Sequence, residues 1–177
     1  KYIYETSKTS KSTKTYPNNA FAKQLKTTAE FINSGLETKV YYVSMGGFDT
    51  HAYQSNRQAR LLKTYAQAMD VFVNDLEASD SFKDTLVVTF SEFGRRVQQN
   101  AAAGTDHGAA SNLFIIGKNL RKPGFYNSSP DLSNLDGNGD LKYTVDFRSV
   151  YATLLDQWLD ASHSKILGKS FKTLNFI

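Results

Sequence analysis

The 177-residue chain has no cysteine. That excludes disulfides, zinc fingers, iron–sulfur ligation and a thiol nucleophile, and leaves the redox compartment open. It has no long hydrophobic run. Nothing approaches the eighteen or so apolar residues that a membrane helix needs, so no transmembrane segment is expected. It has no strong excess of one charge: 21 basic against 17 acidic residues give +4. Most of that excess comes from lysines 1, 8, 11 and 14. The body therefore lacks the basic stripe of a nucleic-acid surface, and nucleic acid is not an expected partner. There are no internal repeats. The chain starts at Lys1, not methionine, without a leader, and is expected to be a processed form or a piece of a longer protein. What is present suits a folded domain: hydrophobic residues make up 40% and aromatic residues 13%, enough for a core at this length.

Residues 1–15 are rich in Ser, Thr and Lys and read as a polar tail or linker, or as a strand cut off from its neighbours. Residues 16–177 read as one portion of a single α/β domain. Phe21, Leu25, Ala29 and Ile32 space as a helix from about Asn19 to Ser34, with Gly35 just past its end. Residues 39–45 (KVYYVSM) are β-branched and aromatic and predict a strand. A helix from about Ser55 to Ala78 carries an apolar stripe from Leu61 to Leu76. The runs 85–90 (TLVVTF) and 112–117 (NLFIIG) predict two more strands. After a surface connection over 117–140, Asp146 fits as the N-cap of a last helix ending near Asp160, with Trp158 on its buried face. Alternation of helix and strand argues helices packed on a mostly parallel sheet.

Three segments place acidic residues and histidines near strand ends: GGFDTH at 46–51, SEFGRR at 91–96 and GTDHG at 104–108. In open α/β sheets, ligands bind at the carboxyl rim, which would gather Asp49, His51 and Glu92. His107 precedes its strand, and reaches that rim only if the strand runs opposite to the others. Imidazole and carboxylate are the donors that hold zinc, manganese or iron at open sites. Arg95 and Arg96 offer planar forks for phosphate or sulfate. The plainer alternatives are a hydrogen-bonded Asp-x-His turn, a helix cap at Glu92, and a polar pair at Asp106 and His107. His163 reads as ordinary surface. DGNGD at 136–140 resembles the start of a calcium loop, but Leu141 and Phe147 stand where Gly and Glu belong, so a Gly-rich turn is expected.

GGFDTH, TLVVTFSEFGRR, GTDHGAASNLFIIG and DGNGDLKYTVDFRSVYATLLDQWL together closely resemble the bacterial proteins grouped as domain of unknown function 1501, from about Tyr16 to the C-terminus. The resemblance is to the C-terminal part of such proteins, which are grouped with sulfatases and alkaline phosphatases. It implies an αβα sandwich with a mixed, mostly parallel sheet and a divalent-metal site. It implies Asp49, His51 and His107 as ligands of one metal, Glu92 as the carboxylate of a second, Arg95 as the holder of the anionic group, and Asp106 as a further catalytic candidate. Phe93 stands where many relatives carry a histidine. The superfamily's nucleophile lies earlier in the chain than anything here, so this chain alone is expected to be inactive.

The implied activity is metal-dependent hydrolysis of a phosphate or sulfate ester, small or polymeric, with zinc, manganese or calcium. The alternative is a binding or scaffold protein that keeps the fold without the chemistry. The resemblance also implies an extracytoplasmic location. A missing N-terminal part of the domain would leave an uncovered edge that favours self-association.

Overall fold

The computed structural model describes residues 2–6 and 8–177. The chain groups into two compact units, Lys1–Leu86 with Asn100–Gly104, and Val87–Gln99 with Thr105–Ile177.

In the first unit, Tyr2–Thr6 of the polar tail forms a short helix, α1. Helix α2 spans Ala20–Asn33. The Asn19 side chain caps it, accepting from the Ala22 N–H at 2.9 Å, which satisfies one of the orphan donors of the first turn. Helix α3 spans Gln54–Ala78. Ala22, Leu25 and Ala29 of α2 and Ala68, Met69, Phe72 and Leu76 of α3 are buried, and the alanines let the two helices pack closely. Each large apolar side chain buried there contributes roughly 1.5–3 kcal/mol. One charged group joins this stripe: Asp75 is buried and accepts from the Tyr16 hydroxyl at 2.9 Å. Burial, reinforced by that carboxylate, pushes the Tyr16 hydroxyl well above the ordinary tyrosine range.

The expected strand at 39–45 does not form. The segment keeps the alternation of an extended chain, with Tyr41, Val43 and Met45 partly buried and Tyr42 and Ser44 exposed. Tyr41 lies against Phe31, ring centroids 6.5 Å apart. A strand, however, exists only through its ladder. Among the described residues, none from 36 to 47 makes a backbone–backbone hydrogen bond. Propensity is satisfied; pairing is not.

In the second unit, β1 (Leu86–Thr89, entering from the first unit by one residue) pairs with β4 (Phe114–Gly117), and β2 (Gly94–Arg95) pairs with β3 (His107–Gly108). The latter pair is antiparallel. The protein is thus mixed α/β with small two-stranded sheets; a larger, mostly parallel sheet would need residues 39–45 as a strand. Helix α4 (Phe147–Thr153) starts at Asp146, whose carboxylate accepts from the Arg148 N–H at 2.9 Å. It runs into a π-turn at Leu154–Trp158, closed by the Leu159 N–H on the Leu154 carbonyl. Trp158, at the end of this turn, is largely buried, as expected of the apolar face. Val150, Ala152, Thr153 and Phe176 are buried. Helix α5 (His163–Leu167) follows.

Candidate functional site

Asp49 and His51 lie on the loop between the extended segment and α3. Thr50, between them, is fully buried, and its N–H donates to the Phe48 carbonyl at 2.8 Å. That bond closes a γ-turn at Asp49, and both neighbours of Thr50 are exposed. Their side chains meet, His51 Nδ1 to Asp49 Oδ1 at 3.1 Å.

This loop is braced by residues 100–104 of the same unit. Asn100 Nδ2 donates to the His51 carbonyl at 3.0 Å. Gly104 packs so tightly that a Cβ there would stand 2.3 Å from the same carbonyl oxygen, so only glycine fits. The brace also caps α3. Tyr53 has φ +44 and no side-chain cap. Instead the Tyr53 and Gln54 N–H groups donate to the Ala102 and Ala103 carbonyls at 2.9 and 3.1 Å. Asn100 in turn accepts from the Ala102 and Gly104 N–H groups.

The other candidates belong to the second unit. A carboxyl rim does not frame these residues, because residues 39–45 form no strand; His107 lies in β3, ahead of β4, with Arg95 as its register partner. Glu92 is exposed ahead of β2. Phe93, half-buried, stacks on His107 with centroids 4.0 Å apart and planes 6° apart. Arg95 stands over the same Phe93 ring at 5.0 Å and donates to the Thr105 carbonyl at 2.5 Å. Asp106 is exposed, and its carbonyl accepts from the Arg96 N–H at 3.0 Å.

Arg96 is not an anion fork. Its Nε donates to Asp140 Oδ1 at 3.1 Å and its Nη2 to the Asn138 carbonyl at 2.9 Å. The 136–140 segment is the expected turn. Asp136 Oδ1 accepts from the Asn138 and Asp140 N–H groups at 2.8 and 2.9 Å, bonds that hold its carboxyl below the usual range. Asp140 is buried on Arg96. Both carboxylates are thus engaged within the protein.

His163 is not plain surface. Its N–H donates to Asp156 Oδ1 at 3.0 Å, its Nδ1 meets Asp156 Oδ2 at 2.6 Å, and its Nε2 accepts from the Phe171 N–H at 3.2 Å. The Phe171 donor assigns the ring proton to Nδ1. The first two bonds hold the Asp156 carboxyl below its ordinary value. No local sequence signal marks this pair, whereas the glycines at 94, 104 and 108 lie inside the segments that the sequence singles out.

The family model described as a protein of unknown function, DUF1501, matches residues 4–168, and the chain belongs to that family. No curated protein and no solved structure matches the chain.

Proposed function

We propose that this member of the family is part of a metal-dependent hydrolase of phosphate or sulfate esters, of the alkaline-phosphatase and sulfatase type with its αβα fold, acting outside the cytoplasm. The observation that carries the reading is the Asp49–His51 pair. Two donors of the kinds that hold zinc or manganese lie 3.1 Å apart on the surface. Both are aimed by a loop whose middle residue is buried and whose carbonyl is gripped by Asn100. The donor set fits a divalent ion of the zinc or manganese class.

In this reading Asp49, His51 and His107 hold one ion and Glu92 serves a second. When bound, such an ion supplies Lewis-acid polarisation of the ester oxygen. Arg95, which donates to the Thr105 carbonyl, holds the anionic group. Asp106, exposed beside His107, is the nearest carboxylate in sequence for moving a proton.

A second reading has its own observation. Arg95 and His107 both engage Phe93, and a ring that ties up two candidate groups suits a binding protein without turnover.

Calorimetric titration with Zn²⁺, Mn²⁺ and Ca²⁺ tests the first reading, followed by an aryl phosphate and aryl sulfate assay of the longest natural form of the protein. At least one metal should bind, about tenfold or more weaker to His51→Ala. Equal binding by wild type and His51→Ala removes the metal reading. Metal binding with no ester turnover favours the second.

A further inference from the structure

We infer that Phe93 is a positioning residue that fixes the plane of the His107 imidazole; the inference rests on the reading of His107 as a metal ligand. The geometry begins with two glycines. In the β2–β3 pair, Gly94 faces Gly108 and Arg95 faces His107. A Cβ at 94 would stand 1.6 Å from the Ala110 carbonyl oxygen, and one at 108 would stand 2.7 Å from the Arg95 carbonyl carbon. The backbones approach this closely only because both positions lack side chains. Phe93 and His107 are the residues just before those glycines, and the close approach brings their rings face to face, 4.0 Å apart and 6° from parallel.

Phenylalanine neither coordinates a metal nor moves a proton. What it offers an imidazole is a flat apolar wall. His107 is exposed, and a wall against one ring face narrows the range open to its χ2 bond. The Phe93 ring covers one face of the imidazole; the nitrogens lie at the ring edge, not on the covered face. Phe93 is held in turn. Arg95 covers it at 5.0 Å and is anchored on the Thr105 carbonyl, two residues from His107. The set closes on itself: Thr105 holds Arg95, Arg95 holds Phe93, and Phe93 holds His107. A ligand ordered before the ion arrives loses less rotamer entropy on binding.

The test uses Zn²⁺ alone as probe, with Phe93→Leu, Phe93→Tyr and His107→Ala. Phe93→Leu keeps apolar bulk without a ring and should bind about tenfold or more weaker, in the range typical of groups that orient a ligand. Phe93→Tyr keeps the ring and should bind as wild type. A second readout needs no metal: the His107 ring protons of the metal-free wild type should show an upfield ring-current shift in NMR. That shift should persist in Phe93→Tyr and vanish in Phe93→Leu. If His107→Ala weakens zinc and Phe93→Leu does not, the positioning role is overturned and the metal reading stands. If His107→Ala binds as wild type, His107 is no ligand and both fall. A wild type without the ring-current shift overturns the stack itself.

Discussion

Two aspartate–histidine pairs among the described residues, one in each unit, are supported in different ways. In the first, Asp49 and His51 touch at 3.1 Å with side chains 63% and 48% exposed. In the second, Asp156 and His163 meet at 2.6 Å with side chains 34% and 15% exposed. The second pair is saturated: both carboxylate oxygens and both ring nitrogens of His163 have protein partners. Such an imidazole has no lone pair to lend and acts as a strut that ties the π-turn to the C-terminal segment. The first pair is supported from behind, through its backbone, and presents its side chains to water. Residue type is the same in both; the direction from which the support comes decides whether the side chains tie the structure together or stay exposed.

The largest effect should come from attacking the support of the open pair. Gly104→Ala forces a methyl group against the His51 carbonyl, which is backbone and cannot swing aside. It should cost about 3 kcal/mol, the upper part of the overpacking range, in urea unfolding, and reduce metal binding as well. Next comes His163→Ala, which deprives the part-buried Phe171 N–H of its acceptor. It should lower stability by about 1–3 kcal/mol and leave metal titration unchanged. His51→Ala should do the reverse, shifting stability by less than about 0.5 kcal/mol. Equal destabilisation by the two histidine variants would erase the distinction drawn here.

The smallest effect lies on the acid limb. Asp156 is held below its ordinary value by His163, and Asp146 is lowered to about 2 by Arg148. A lowered folded-state value means that each contributes stability above the unfolded value of 3.8 and loses it as pH falls through the folded one. Stability measured downward from about pH 4 should therefore decline less steeply in Asp146→Asn and Asp156→Asn than in wild type. Parallel curves would show that these contacts do not differ between the folded and unfolded chains.

What was legible in the sequence was local. The α2 and α3 stripes repeat every three to four residues, and the Asn19 and Asp146 caps act on donors two or three residues away, so a short window contains both partners. What was not legible needed a partner far along the chain. Residues 39–45 have every local mark of a strand and lack only a neighbour to pair with. Arg95 and Arg96 look equivalent as adjacent arginines. They separate only when Asp140, 44 residues on from Arg96, claims one of them. The Phe93–His107 stack depends on two glycines whose lack of a side chain is visible, but whose neighbours are not.

The cap of α3 has a consequence for the order in which the chain can become native. The carbonyls that finish the helix start belong to Ala102 and Ala103, made about fifty residues after Tyr53. At roughly 5–20 residues per second, the ribosome releases the helix several seconds before its last hydrogen-bond acceptors. A chain ended anywhere between residues 78 and 100 holds the whole α3 sequence without the acceptors for its first turn and without the brace of the His51 loop. Released chains truncated in that range should show rapid amide exchange at Tyr53 and Gln54, and chains extended past residue 104 should not.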